Sequence, residues 1–552
     1  MLIMALSVSA FAVSTTFDLK IENDVSGYTY TAYQIFKGDI STDNSSTTVP
    51  GTNSSAKLSN IDWATGVNGN AIATALTPSG TSPVYTAAQI AEKLSDGTIT
   101  VADFTKAVEA NLATVAGTVS TITVEGGKNY YKFSSLPAGY YFVKNTAVPT
   151  DGSYTQYMLE LVENSVTKQK GNVPTVEKKV KDNNTSDGTT SDWQDSADHD
   201  IGDTIEYKIT GTLSDKYADY TYYHYEFTDE ISKGLTYTQN SVKVLVDGDT
   251  TKDITSYFDI SCTASTKTTN PNGNVLSIKA KGNDLKAQDA TNKWISATSK
   301  IVVLYNCTLN TDAVIGSAGN PNTVDLTFAN DPNYDGTGKS GSDKEKDQPK
   351  GKTPEDKNTV FTFTLDVDKV EDDGNGGFKA LKGAGFTLYK WDNTQNDYVG
   401  VKLEKKTVNN VDYYYVNTAS GTVQEIKLDN GGNTISDFTW YGLDDGKYKI
   451  VESTTPTGYN TMTPIEFIVK ATHDVTADNP TLTALDVYKT DGTTKDSSFN
   501  TDKTNGVIDT DIENVAGTVL PETGGIGVNI FYAIGGLMAL CAIVLAKKRV
   551  TE

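Results

Sequence analysis

The run Phe361-Thr-Phe-Thr-Leu-Asp-Val-Asp-Lys-Val370 alternates apolar and polar side chains without interruption. Successive side chains on a strand point to opposite faces, so strict period two predicts a strand with one face in a core and the other in water. The same parity puts Leu365, Val367 and Lys369 on one face. If the Leu and Val look into the core, so does the Lys amine. Comparable short runs recur at Thr175-Val-Glu-Lys-Lys-Val180, Thr204-Ile-Glu-Tyr-Lys-Ile209, Ser241-Val-Lys-Val-Leu-Val246 and Lys300-Ile-Val-Val-Leu-Tyr305. Gly, Asn and Asp separate them, and the chain carries 30 Tyr with abundant Thr and Val. These features predict an all-β protein of tandem Ig-like sandwiches.

At 552 residues the chain is long enough for several domains. Residues 1–12 read as the end of a secretory signal, truncated at its start, with Ala10-Phe11-Ala12 as cleavage site. Residues 13–172 form a first domain whose strands are interrupted by a small helical insert. Apolar spacing predicts helices over Ala87–Leu94 and Asp103–Val115, with Asp103 as an N-cap. Residues 173–335 form a second domain and 359–516 a third. Between them, 336–358 is polar and reads as a linker. The net charge of -23 argues against nucleic acid or an anionic membrane as partner. Of three Cys, only Cys262 and Cys307 lie outside the apolar tail, which allows one disulfide at most. His199, His224 and His473 are scattered and suggest no metal site.

The tail, 517–552, carries three signals in order: Leu520-Pro521-Glu522-Thr523-Gly524, an uncharged run from Ile526 to Ala546, and Lys547-Lys548-Arg549. The run is long enough for a membrane-spanning helix of about 20 residues, and the basic cluster behind it marks the cytoplasmic side. Pro521 keeps Leu520 extended, which suits presentation to a peptidase. This order resembles the cell-wall sorting signal of Gram-positive surface proteins. The resemblance implies cleavage by a membrane-bound sortase between Thr523 and Gly524 and attachment to peptidoglycan.

The chemistry follows from the inward Lys. Tyr448-Lys-Ile-Val-Glu452 places Tyr448, Ile450 and Glu452 on one face, and a strand from Val507 ends at Asn514. Desolvation pushes a buried Lys towards its neutral, nucleophilic form and a buried Glu towards its protonated form. Such a pair beside an Asn amide can make an amide bond once, releasing ammonia. A buried salt bridge satisfies the same pattern. The motifs DKVEDDGNGGFKALKGAGFTLYK, YGLDDGKYKIVESTTPTGYN and IENVAGTVLPETGG resemble the Cna B-type domain of sortase-assembled, SpaA-like major pilins. That resemblance implies an isopeptide bond between Lys369 and Asn514, with Glu452 as the acid.

In the second domain, Pro174-Thr-Val-Glu-Lys-Lys-Val180 resembles the first strand of a Cna A-type or pilin middle domain. Phe227-Thr-Asp-Glu resembles the acid-bearing segment, and Asn320-Pro-Asn-Thr-Val the last strand. This implies a Lys178–Asn322 bond with Asp229 as acid; Lys179, Asn306 and Asn320 compete for those roles. The first domain reads Tyr140-Tyr-Phe-Val-Lys144 where the acid would stand, so no bond of this kind is expected there. The family also uses an exposed Lys before the second domain to accept the next subunit. Here Lys168 stands at about that position, with Lys170 as the alternative.

The resemblance as a whole implies a shaft subunit of a cell-surface pilus, polymerised through Thr523, with no cofactor. Its partners would be a class C-type pilus sortase, copies of itself, tip and base pilins, peptidoglycan and a host ligand. A monomeric wall-anchored adhesin of the same fold is the alternative. No Ser/His/Asp constellation points to a hydrolase.

Overall fold

The computed structural model describes residues 16–41, 57–112, 115–169, 171–430, 433–434, 436–518 and 526–550. The expected signal segment, Lys170 and the Leu520–Gly524 motif lie outside the described residues. The chain is mainly β and divides into two compact units. One unit holds residues 1–183, 189–362 and 472–483; the other holds 184–188, 363–471 and 484–552.

The first unit contains two successive sandwiches. In the N-terminal one, a sheet ordered Thr121–Glu125, Lys128–Pro137, Thr16–Glu22, Ser165–Lys168 faces a second built on Thr29–Ser41 and Gly139–Ala147. Inward residues of alternating parity, among them Leu19, Ile21, Tyr30, Phe133 and Val143, close the core between them. A second cluster forms where Ile72, Ile90, Phe104 and Val108 of three helices cover Ile35, Phe36 and Phe142. The helices are Gly69–Leu76, Ala87–Ser95 and Val101–Glu109. The expected Asp103 cap is corrected by the structure. Thr100 is the cap: its hydroxyl oxygen accepts from the Asp103 amide at 3.0 Å and donates to the Asp103 carboxylate at 2.7 Å. A Thr one turn earlier takes the role because its β-region backbone turns the side chain onto the free amides of the first turn.

The second sandwich sets a sheet ordered Val176–Val180, Thr204–Thr212, Lys300–Leu309, Leu235–Tyr237 against one ordered Ser196–Asp198, Asp356–Phe361, Asn320–Ala329, Tyr225–Ile231, Asn274–Ala280, Phe258–Ala264. The linker expected over 336–358 is therefore corrected. Lys350–Lys352 and Asp356–Phe361 both pair with Asn320–Ala329 and complete this sheet. The stretch reads as polar because Asp343–Lys346 and its flanks stay at the surface. Gln348, Thr353 and Asn358 of the stretch are buried, and Thr359, Val360 and Phe361 carry the last strand on into the core. The two sandwiches of this unit are also tied together. Asn330 accepts at its carbonyl from the Tyr154 amide (2.7 Å) and donates from its side chain to the Gly152 carbonyl (3.1 Å), and the Lys352 amide donates to the Thr150 carbonyl (2.7 Å).

In the second unit the alternating run begins at Phe363, not Phe361. Phe363–Asp372 pairs antiparallel with Asp437–Leu443 and parallel with Val507–Glu513. The opposing sheet includes Gly385–Asp392 paired with Gly446–Thr454. Trp440, Phe386, Tyr448 and Ile450 fill the space between. A helix spans Ile526–Val550, over the apolar run. Among the described residues no helix is long and apolar enough to cross a membrane, and the side chains of 526–530 lie outside the described set.

Candidate functional site

The inward Lys of the second sandwich comes from the strand Val176–Val180, and its whole side chain is withdrawn from solvent. Across the core, Tyr225–Ile231 and Asn320–Ala329 run antiparallel with Asp229 opposite Val324 and Ile231 opposite Asn322. This register brings both Asp229 and Asn322 inward, facing Lys178, and all three are 0 % exposed. Lys178 Nζ donates to Asp229 Oδ1 and Oδ2 (2.9 and 2.8 Å) and to the Tyr305 hydroxyl (2.6 Å). That hydroxyl donates to Asp229 Oδ2 (2.5 Å) and accepts from Asn322 Nδ2 (2.7 Å). Among the described residues, the buried Asn322 Oδ1 finds no hydrogen-bond partner; the Tyr207 ring stacks on Tyr305.

Burial drives this site's chemistry. Desolvation holds the Lys178 amine below its ordinary pKa, against the attraction of Asp229. Desolvation likewise raises Asp229, against the pull of Lys178 and the Tyr305 hydrogen bond. Each shift favours the neutral partner: an amine with a free lone pair and a carboxyl that keeps its proton. The competing residues lie elsewhere. Lys179 points to the other face and pairs with Asp195 at 2.6 Å. Asn320 is buried but donates to the Val314 and Val360 carbonyls. The Asn306 backbone is held by Ser241 on a partly buried outward position.

The second unit builds its site differently. Lys369 and Ile512 are register partners on neighbouring parallel strands, and Asn514 stands two residues on, its backbone N–H donating to the Val370 carbonyl (3.1 Å). Lys369 Nζ donates to the carbonyls of Ile512 (2.8 Å) and Val370 (3.0 Å). Glu452 arrives from the opposing sheet on Gly446–Thr454. It accepts from Asn514 Nδ2 at both oxygens, at 2.9 and 3.1 Å. The Met462 amide (3.0 Å) and Thr455 hydroxyl (3.2 Å) fix its other lone pairs. Lys369, Glu452 and Asn514 are all buried, and Asn514 Oδ1 has no partner among the described residues. Burial pulls the Lys369 amine down to about 8, with Glu452 opposing.

The N-terminal sandwich holds no such triad among the described residues. Lys144 pairs with Glu109 at 2.9 Å near the surface. The interior polar contacts there are neutral: Asn23 Nδ2 donates to the Tyr30 hydroxyl (3.0 Å) and to Gln169 Oε1 (2.5 Å). Lys168 closes the edge strand Ser165–Lys168, its side chain 73 % exposed and 3.6 Å from Glu22.

Tyr305 is the residue that motif reading passed over. Its parity was available: Ile301, Val303, Tyr305, Cys307 and Leu309 share the inward face of one strand. Cys262 and Cys307 are free thiols, so the disulfide that their number allowed is not formed. The scattered histidines also need correction. His473 Nε2 lies 3.1 Å from Asp198 and 3.7 Å from Asp182, and the ligand atoms of these three residues fall within 4.8 Å of one another. Burial lowers the His473 pKa, but the two carboxylates outweigh it and hold the ring above its ordinary value.

Fold and sites together define a class: tandem β-sandwiches, two of which bury a Lys, an acid and an Asn. Residues 363–481 match the family model of the SpaA prealbumin-like fold domain. The chain is 24% identical over 304 residues to the trypsin-resistant surface T6 protein of Streptococcus pyogenes serotype M6. That match covers 45% of this chain and 48% of the relative, so the chain spans about half the length of the curated relative it matches. Among solved structures, the T6 backbone pilin of serotype M6 Streptococcus pyogenes, described as modular and three-domain, superposes over 92% of this chain and 100% of its own, at 17% identity and TM-score 0.47. The full-length major pilin SpaD from Corynebacterium diphtheriae superposes over 92% and 98%, at 18% identity and TM-score 0.46.

Proposed function

We propose that this chain is the structural subunit of a covalently polymerised cell-surface shaft. Each subunit would be joined through Thr523 to Lys168 of the next by a membrane-bound transpeptidase of the sortase class. Before cleavage the precursor would be held by the apolar segment from Ile526 to Ala546. After polymerisation the shaft would be anchored at the cell wall. Two self-formed amides, Lys178–Asn322 and Lys369–Asn514, would stiffen each subunit.

The observation that carries this reading is the pair of buried triads. A buried Lys beside a buried acid and an Asn amide is costly as mere packing, since isolated charges are expelled from a dry core. It is productive as chemistry: the amine attacks the Asn carbonyl carbon, the acid moves the protons, and ammonia leaves. A protein built for traction gains from this, because covalent amides do not yield at forces that separate hydrogen-bonded strands. Lys168 supports the polymer reading, being exposed at the end of the last, edge strand of the N-terminal sandwich.

Intact mass of the secreted region tests the bonds, since each one formed removes ammonia, about 17 Da. Two losses are expected. Co-expression with the partner transpeptidase tests the polymer. The chain should give a high-mass covalent ladder, and Lys168→Ala or removal of Leu520–Gly524 should collapse it to one band. A ladder that survives Lys168→Ala would reassign the acceptor.

A further inference from the structure

The two triads use their acids in different ways, and the difference assigns a role to a residue outside them. Glu452 touches the leaving nitrogen of its Asn directly, at 2.9 and 3.1 Å. Asp229 instead makes two contacts to Lys178 Nζ, and the hydroxyl of Tyr305 stands between it and Asn322 Nδ2. The phenol oxygen is 2.6 Å from the attacking nitrogen, 2.7 Å from the departing one and 2.5 Å from the acid. One donated and two accepted hydrogen bonds fill its capacity. It therefore touches every group that gains or loses a proton in amide exchange.

We propose that Tyr305 is a catalytic residue of the second sandwich, passing a proton from Asp229 to Asn322 Nδ2 as the Lys178–Asn322 bond forms. This rests on the reading of Lys178 and Asn322 as bond partners. Lys178 Nζ, having given one proton to Asp229, attacks Asn322 Cγ, and the Cγ–Oδ1 double bond opens to an oxyanion. Bonding to Cγ makes Nζ acidic, while Nδ2, no longer conjugated, becomes basic. Tyr305 gives its proton to Nδ2 and takes one from Asp229, which takes the second proton from Nζ. The carbonyl re-forms, the Cγ–Nδ2 bond breaks, and ammonia departs. Of the three protons on the starting ammonium, one stays on the new amide, one ends on Asp229 and one leaves with ammonia.

Geometry favours this role over simple packing. The ring of Tyr305 is already held by stacking on Tyr207 and by Tyr237, so burial of the aromatic body does not need the hydroxyl. No equivalent phenol touches Asn514 among the described residues, where the acid reaches the amide unaided. The titratable and charged groups whose fields act on the hydroxyl and its partners are Lys178, Asp229, Tyr207, Cys307, Cys262, Glu230 and Asp356.

The test follows each bond separately in the newly synthesised full chain, by quantifying Lys178–Asn322 and Lys369–Asn514 cross-linked peptides over time. Positioned proton transfer contributes about a hundredfold or more. Tyr305→Phe should therefore slow the first bond by about that factor and leave the second at its wild-type rate. An unchanged first rate overturns the proposal. A wild-type chain that never links Lys178 to Asn322, while linking Lys369 to Asn514, would instead defeat the bond assignment beneath it. Replacing Tyr305 by 3-fluorotyrosine guards against a folding defect, because it keeps ring and hydroxyl and changes the phenol's acidity. The pH profile of the first bond should then move towards lower pH. An unmoved profile would reduce Tyr305 to packing.

Discussion

Each buried site holds a Lys, a carboxylic acid and an Asn, and the two arrange them in opposite ways. In the second sandwich the acid grips the amine: Asp229 and Lys178 form a two-point pair within the core, and the amide is reached through Tyr305. In the second unit the acid grips the amide. Glu452 holds Asn514, and Lys369 is parked on two backbone carbonyls. Strand placement decides this. Lys369 and Asn514 lie on neighbouring strands of one sheet, so the acid must come from the other. Lys178 faces Asp229 and Asn322 across the core, so acid and amide arrive together. The first bond would staple two sheets together; the second would staple two strands within a sheet. What the sites share is an Asn carbonyl oxygen with no donor among the described residues, at the atom where charge would develop.

The contrast breaks most visibly at the acids. Asp229→Ala should give the largest loss of stability. It removes the cross-link, roughly 4–5 kcal/mol for a loop of this length. It also strands a buried Lys, at about 3–5 kcal/mol more. Thermal unfolding and peptide mapping check this; retention of the Lys178–Asn322 bond would reverse the assignment. Glu452→Ala should lose only the cross-link contribution, since Lys369 keeps its carbonyl partners. That corresponds to a fall of about 10–20 °C in the melting temperature of that unit.

Pulled from Lys168 to Thr523, the wild-type chain should keep 178–322 and 369–514 closed. The strands Lys350–Lys352 and Asp356–Phe361 lie beyond Asn322 and are held to their sheet by hydrogen bonds. One extension event is expected from this stretch, on the order of 40 residues and 130 Å. Glu452→Ala should add a second, several times longer. A wild-type trace with two long events would mean that one bond is missing.

The smallest effect is in pH. Lys369 sits at about 8, so its neutral fraction grows as pH rises through that value. The rate of the second bond should climb from pH 6.5 to 8.5 and then level. In an Asn514→Ala chain, which cannot link, the same shift acts on stability. The unfolded amine binds a proton up to its ordinary value of 10.5 while the folded one has released it above about 8. Stability of the unlinked unit should therefore rise with pH across that window, as denaturant titrations would read.

Parity was enough to make this an all-β protein and to turn particular amines inward. Lys178 and Lys369 sit on the same faces as Val176 and Val180, and Leu365 and Val367, and no sheet can bury those neighbours without also burying the Lys. Glu452 follows from the same rule, two residues beyond Ile450. What parity cannot carry is the identity of the sheet across the core. Period two runs through Phe361-Thr362-Phe363 unchanged, yet Phe361 ends a strand of the first unit and Phe363 begins one of the second. Alternation describes a strand's own faces and says nothing about its partner. The strands hidden in 350–361 escaped for a related reason: their side chains are mostly polar, and backbone pairing with Asn320–Ala329 places them. Tyr305 is the sharpest case. Its inward face was readable, but its place between Asp229 and Asn322 depends on the registers of three strands in two sheets, which only the packed sandwich brings together.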